Sequence, residues 1–187
     1  ASVAAASPGA TMIDDGDPRR RVVLRPSFCP GPDCPEIVPQ AQGLRTVYLN
    51  FEGATLTRST NNDSATQTTA TSDGVSAIVN SPNEVIAPFN PNDLYDDGGL
   101  TRAQIIAQVI DDLYQIHDPY NVEFVTTRPA SGTYSMVVIG GTCEAVTGQS
   151  CAGIALLDCD DVLPANITFV FPYNLSLGDL ATTAGAA

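Results

Sequence analysis

The pattern of apolar and polar positions changes after residue 43. Residues 1–43 are rich in proline and show little periodicity, which predicts an N-terminal extension or the remnant of a pro-segment. From residue 44 onward, apolar positions recur at the spacings of strands and helices. The sequence therefore predicts a globular domain over 44–187, preceded by an extension over 1–43.

The clearest predicted element is a helix that begins after Thr101 and ends near Asp118. Thr101 and Gln104 have the spacing of a capping box, and Pro119 disfavours helical backbone at Asp118. His117 lies in the last turn, where a cation is favourable, so we expect a capping or surface role rather than metal binding. One face is apolar at helical spacing; it comprises Ile105, Ile106, Val109, Ile110, Leu113 and Ile116.

Five segments have the character of β-strands. Residues 45–51 alternate, so that Val47, Leu49 and Phe51 share one face, which we expect to be the buried one. Residues 134–141 form a continuous apolar run, typical of a strand covered on both faces. The other segments are 121–127, 153–158 and 166–171.

The order of these elements predicts an α/β fold. Residues 57–74 are rich in Thr, Ser and Asn and predict a long exposed loop. After the last strand, SLGDLATTAGAA predicts a second helix that Ser176 or Asp179 caps. We therefore expect a twisted mixed sheet of about four to five strands with a right-handed crossover helix.

Charge excludes several classes of function. Eight basic residues, all Arg, stand against 21 acidic residues, which gives a net charge of −13. Such a surface repels the phosphates of nucleic acids and disfavours anionic membranes. The sequence has no apolar run long enough to predict a transmembrane helix. His117 is the one histidine, so this chain is a poor candidate for a catalytic zinc site, which normally takes three protein ligands.

The cysteines indicate an oxidising compartment. Cys29 and Cys34 flank one short polar loop, and Cys143 and Cys151 flank another. These spacings favour two disulfides over a zinc ribbon, with buried free thiols as the alternative. Cys159 is then either free or paired with a cysteine outside this chain. The opening residues, ASVAAASPGATM, predict a mature N-terminus or a flexible tail, and we expect a secreted protein, extracellular or periplasmic.

Two acidic segments are candidates for metal or acid–base chemistry. Residues 90–99, NPNDLYDDGG, offer the oxygen ligands that calcium prefers but lack the spacing of a calcium loop. A solvated loop is the favoured interpretation, and calcium binding stays open. A second cluster at the end of the strand at 153–158 comprises Asp158, Asp160 and Asp161. Paired carboxylates serve as acid and base or bind calcium. Aspartates at strand ends, however, more often lie in solvated turns.

Five segments share their order and local pattern with a known family. They are RTVYLNFEG, RAQIIAQVIDDLYQIHDPYNVEFV, YSMVVIGG, GIALLDCDD, and NITFVF followed by DLATTAGAA, within residues 44–187. Together they resemble the N-terminal subdomain of the metzincin-type zinc metallopeptidases of secreted bacterial proteins. In that family the helix after the last strand carries HExxHxxGxxH, whose His residues bind zinc and whose Glu is the general base. The resemblance implies that this chain ends just before that motif and holds no catalytic residue or zinc ligand.

The same resemblance implies a place for the substrate. In metzincins an edge strand runs antiparallel to the bound peptide and forms the upper rim of the cleft. By resemblance that strand comprises Gly153, Ile154, Ala155 and Leu156, whose backbone groups would bind an extended protein or peptide. We therefore expect a secreted zinc-dependent endopeptidase in the full-length form and no activity in this chain alone. The alternatives are a non-catalytic secreted α/β binding or structural domain and a calcium-stabilised extracellular module.

Overall fold

The computed structural model describes residues 43–60, 63–118, 120–156, 163–173 and 175–186. Contacts divide the chain into two compact units, and the larger comprises Leu44–His117 and Val122–Ala187. Within the described residues, the elements of this larger unit are β1 (Arg45–Asn50), β2 (Ala54–Arg58), β3 (Val75–Ser76), β4 (Asn83–Ile86), a 3-10 turn (Pro91–Asp93), α1 (Arg102–Ile116), β5 (Val122–Val125), β6 (Ser135–Ile139), α2 (Cys143–Thr147), β7 (Gly153–Ile154), β8 (Ile167–Val170) and α3 (Leu177–Ala186).

The larger of the two sheets has the strand order β5-β1-β6-β8-β7. β1, β5, β6 and β8 run parallel, whereas β7 pairs with β8 in the antiparallel direction at one edge. The prediction of a mixed α/β sheet is therefore confirmed. The apolar run at 134–141 is β6 with its flanks, and β6 is covered on both faces as expected, since Met136, Val137, Val138 and Ile139 are all buried.

Helices α1 and α3 cover one face of this sheet. Three apolar residues of α1 are fully buried, and two more pack against the same cluster, which confirms the predicted stripe. Ile116 departs from the prediction because it is the last residue of the helix and 47% exposed. The cluster includes Leu49, Ile105, Val109, Leu113, Val137, Ile139, Val170 and Leu180, with Val47, Ile106 and Ile110 partly buried against it.

The predicted capping box of α1 is present. The Thr101 side chain accepts the backbone N–H of Gln104, and the Gln104 side chain accepts the backbone N–H of Thr101 at 2.9 Å. At the other end His117 is the C-cap, with its backbone N–H donating to the Leu113 carbonyl at 2.9 Å. Its ring Nδ1 lies 3.1 Å from the same oxygen. The capping role expected for His117 is thus confirmed, and Pro119 lies outside the described residues.

Both residues proposed to cap the second helix take part. The Ser176 hydroxyl accepts the backbone N–H of Asp179 at 3.2 Å. The Asp179 carboxylate in turn accepts the Ser176 backbone N–H at 3.3 Å and its hydroxyl at 2.7 Å. This reciprocal pair satisfies donors that the first turn leaves without intrahelical partners.

A second sheet, which the sequence did not predict, covers the other face. It has the order β3-β2-β4, with β4 antiparallel to β2. Consequently β1 is buried on both faces rather than on the predicted single face: Tyr48 is 7% and Asn50 is 3% exposed. The apolar layer between the sheets includes Tyr48, Leu56, Ala65, Val79, Ile86, Met136, Val138 and Phe169.

The exposed loop predicted for residues 57–74 is confirmed for residues 66–71, which are exposed, and is wrong for the buried residues on either side of them. β2 extends into it as far as Arg58, and Asp63 beyond it is only 2% exposed. The Asp63 carboxylate accepts the Ser76 hydroxyl at 2.8 Å and the backbone N–H of Ala77. A segment without large apolar side chains packs here because its buried carboxylate finds hydrogen-bond donors in the residues that follow the segment.

Candidate functional site

The chain enters the edge strand β7 through a loop that a disulfide closes. The Thr142 side chain caps α2 by accepting the Ala145 N–H at 3.3 Å, and Gly148 ends the helix at a φ of 74°. Cys143, the first residue of α2, is bonded to Cys151, with their Cα atoms 5.5 Å apart. The predicted bond between these two cysteines is therefore present in the structure.

The other cysteines lie outside the described residues. The predicted bond between Cys29 and Cys34 stays a prediction, as does the absence of a partner for Cys159 within the chain.

The backbone of β7 has one paired and one open edge. Gly153 and Ile154 form the antiparallel ladder with β8, and the Ala152 carbonyl just before them accepts the Phe171 N–H at 2.8 Å. Because the N–H and C=O of one residue point to the same edge and alternate along a strand, Ala152 and Ile154 face β8. Gly153 therefore faces the other edge, and the same alternation continued beyond β7 would place the backbone groups of Ala155 there too. No strand of the described residues pairs with that edge.

The structure places the four predicted substrate-binding residues at this edge of the sheet. Gly153 and Ile154 form β7 itself, and Ala155 and Leu156 continue from it. Ile154 packs partly buried against the apolar layer, whereas Ala155 is exposed. A Cβ on Gly153 would lie 3.0 Å from Cγ2 of Thr183. The missing side chain at Gly153 therefore lets β7 lie close against α3.

The last turn of α3 packs against the end of α1. A Cβ on Gly185 would lie 3.2 Å from Cε1 of His117 and 3.4 Å from Cδ2 of Leu113. The His117 ring also meets the Phe124 ring edge-on, with centroids 5.4 Å apart. The His117 ring therefore packs, partly buried, beside the last turn of α3 and against Phe124 of β5.

The carboxyl ends of β1 and β6, where many open α/β sheets bind ligands, are filled by the chain itself. Gly53 follows β1 at a φ of 80°, and a Cβ there would lie 2.5 Å from the Ile86 carbonyl oxygen. Gly140 follows β6 at a φ of 151°, and its Cβ would lie 2.3 Å from the Ala87 carbonyl oxygen. Since the backbone at 86–88 occupies this position, the edge at β7 is the better candidate.

A polar network around Arg128 is the feature that sequence reasoning missed. Its guanidinium donates to the Asp73 carboxylate at 2.9 Å, the Ala65 carbonyl at 2.8 Å and the Tyr134 hydroxyl at 2.8 Å. It also lies 6.0 Å from the centroids of the Tyr48 and Tyr134 rings. Burial raises the pKa of Tyr48, and the charge of Arg128 opposes that rise.

This network has a structural role. All three guanidinium nitrogens of Arg128 donate within the fold, so they clamp the segment around Asp73 to the large sheet. No local spacing could have indicated the network, because Asp73 and Arg128 are 55 residues apart in the chain.

The described residues do not fit a zinc site. They contain no group of three or more His, Cys, Asp or Glu side chains that could hold a metal ion. In the acidic segment at 90–99, the carboxylates of Asp96 and Asp97 accept the N–H groups of Gly98 and Gly99 at 2.9 and 2.8 Å, as in solvated turns. The candidate cluster of Asp158, Asp160 and Asp161 lies outside the described part of the chain.

Comparison with known proteins identifies no relative of this chain. No family model, no curated protein and no solved structure matches the chain significantly. No described helix is long and apolar enough to cross a membrane. The functional assignment therefore rests on the residues and on the geometry of β7 and α3.

Proposed function

We propose that the full-length protein is a secreted zinc-dependent endopeptidase of the metzincin type. In this proposal β7 is the substrate-binding strand, and α3 leads into the metal-binding motif. The observation that carries the proposal is the position of β7, an antiparallel edge strand that lies against α3 and whose second edge pairs with no strand of the described residues. The order of elements supports it, since the edge strand directly precedes the last strand and a capped helix follows.

The edge of β7 suits the recognition of an extended peptide. The N–H and C=O groups of Gly153 point away from β8, and those of Ala155 would do the same in a strand that a bound substrate extends, so the substrate would add to the sheet by main-chain hydrogen bonds. Such bonds depend little on the substrate sequence, and they would orient the scissile peptide along the edge. The disulfide between Cys143 and Cys151 favours an oxidising compartment and so a secreted protein.

Zinc, when bound, would supply the activated water for peptide hydrolysis. The described residues contain no group of three or more His, Cys, Asp or Glu side chains that could hold it. The contribution assigned to this chain is therefore the binding and orientation of the substrate backbone.

The role of β7 is tested by removing one backbone donor. In an active chain extended beyond residue 187, Ala155→Pro deletes the N–H that the proposal assigns to the substrate, and position 155 lies outside the ladder with β8. We expect KM for a peptide substrate to rise about tenfold with kcat little changed, because the lost bond contributes to substrate binding. Ala155→Ser keeps the N–H and is the matched control. Equal KM values for both variants would contradict substrate pairing with β7.

A non-catalytic secreted α/β domain is the alternative, and the gene sequence distinguishes the two. Codons for an HExxH motif directly after residue 187 would support the peptidase. A stop codon or an unrelated sequence at that place would instead support the binding or structural domain.

A further inference from the structure

The disulfide between Cys143 and Cys151 joins β7 to a fixed part of the fold. Cys143 and Val146 of α2 are 4% and 1% exposed and belong to the layer between the two sheets. The Val146 carbonyl also accepts the Asn80 N–H at 3.0 Å. α2 is therefore anchored on its own, whereas Cys151 lies only two residues before Gly153, the first residue of β7.

Among the residues that the structure describes, β7 has few other contacts that hold it in place. Its ladder with β8 is two residues long, against about five to six for an average strand. The Ile154 side chain is only partly buried. An edge strand with so little pairing and burial opens at low cost when nothing else holds it.

We propose that the Cys143–Cys151 disulfide is the positioning device of the edge strand: it holds β7 paired with β8, and its loss releases β7 while the rest of the fold stays intact. The bond closes a short loop and so removes the open conformations that the free loop would adopt. Loop-closure entropy for this length corresponds to a change on the order of 10- to 100-fold in the opening of β7. The consequence for substrate binding rests on the proposed function, but the positioning of β7 does not.

Reduction of this bond follows thiol–disulfide exchange. Cys151 is more exposed than Cys143, so a thiolate of dithiothreitol attacks the Cys151 sulfur. The sulfur–sulfur bond breaks, and Cys143 leaves as a thiolate that takes up a proton. The second thiol of dithiothreitol then displaces Cys151, which yields two protein thiols and oxidised dithiothreitol.

Amide hydrogen exchange in this 187-residue chain tests the proposal, because β8 and its flanks carry reporters on both edges. The Phe171 N–H donates to the Ala152 carbonyl and reports on β7. On the opposite edge the Gly140 N–H donates to the Val170 carbonyl at 3.1 Å and reports on the contact with β6.

The test variant is Cys143→Ser/Cys151→Ser, compared with the parent by nuclear magnetic resonance. Serine suits position 143 because the Cys143 sulfur already lies 3.2 Å from the Thr147 hydroxyl. Both proteins also carry Cys159→Ser. This substitution prevents thiol–disulfide exchange between Cys159, which lies close to β7 in sequence, and the Cys143–Cys151 bond. We expect the Phe171 amide to exchange on the order of 10- to 100-fold faster in the variant and the Gly140 amide to be unchanged.

The control is Cys29→Ser/Cys34→Ser, which keeps the bond before β7 and should exchange like the parent. An unchanged Phe171 amide in the test variant would overturn the proposal. Equal acceleration at Phe171 and Gly140 would also overturn it, because the bond would then stabilise the whole fold rather than position β7. Amide hydrogen exchange does not depend on catalytic activity. An inactive extended chain would therefore contradict the proposed peptidase function but not the proposal that the disulfide positions β7.

Discussion

Thr168 is a buried hydroxyl in the middle of β8. It is 6% exposed, and its Oγ1 has no hydrogen-bond partner within the described part of the chain. Leaving such a group unsatisfied costs about 1–3 kcal/mol. We therefore expect Thr168→Val to raise the free energy of unfolding, measured by urea titration, by about 1 kcal/mol.

The matched control is Thr147→Val. The Thr147 hydroxyl donates to the Cys143 carbonyl at 2.9 Å, so the same substitution should lower stability there. A loss of stability in Thr168→Val would contradict the expectation and indicate that its hydroxyl has a bonding partner.

Asp63 makes the stability depend on pH. Burial raises its pKa above the ordinary 3.8, although the Ala77 N–H and the Ser76 hydroxyl oppose the rise. The folded state therefore binds this proton more tightly than the unfolded state does. The resulting stabilisation is fully present below the unfolded pKa and is lost as the pH rises through the raised folded pKa.

The comparison with Asp63→Asn measures this effect. We expect the free energy of unfolding of the wild type, minus that of the variant, to fall as the pH rises from below 3.8 to neutral. Asp111→Asn, at an exposed position of α1, controls for the loss of one negative charge. A difference that rises with pH would contradict the raised pKa.

Helix α1 is held by its apolar face rather than by its caps alone. Leu113 is fully buried between the sheet and α3, where a Cβ on Gly185 would lie only 3.4 Å away. Leu113→Ala should therefore lower the free energy of unfolding by about 2–5 kcal/mol. Ile116→Ala in the same helix should cost much less, because Ile116 is 47% exposed. Equal denaturation midpoints for Leu113→Ala and the wild type would contradict this packing.

The elements that the sequence predicts well are those with strong local signals. α1 has a capping box at Thr101 and a stop near Asp118, and β6 is a continuous apolar run, so neither depends on distant partners for recognition. β2, β3 and β4 are short and lie in polar sequence. The loop between β2 and β3 is held by long-range bonds such as Asp63 to Ser76 and Asp73 to Arg128, which no local spacing reveals.

The candidate site was predictable in position but not in detail. The segment that begins at Gly153 was expected to be an edge strand, and β7 is an edge strand. Its pairing covers only Gly153 and Ile154 rather than the predicted 153–158, of which 157 and 158 lie outside the described residues. The contact between Gly153 and Thr183 of α3 is a tertiary one, and glycine alone does not indicate which group approaches it.

At the scale of the whole molecule, the larger unit has both faces of its main sheet covered. Two helices cover one face, and the second sheet with α2 covers the other. The carboxyl ends of β1 and β6 are closed by the backbone at 86–88. Among the strand edges that no strand of the described residues pairs with, the edge of β7 is the one that lies beside α3, and this is the basis of the peptidase proposal.

The most direct test of the peptidase proposal is the zinc content that remains after dialysis. It is measured on the 187-residue chain and on a chain extended through the following helix. A catalytic site needs three protein ligands and an open position for water. The described residues hold no such group, and the ring of His117 lies at the Leu113 carbonyl. We predict that the short chain retains no stoichiometric zinc and that the extended chain retains it and cleaves casein in a chelator-sensitive manner. Stoichiometric zinc in the short chain, or a folded extended chain without zinc and proteolysis, would contradict the account.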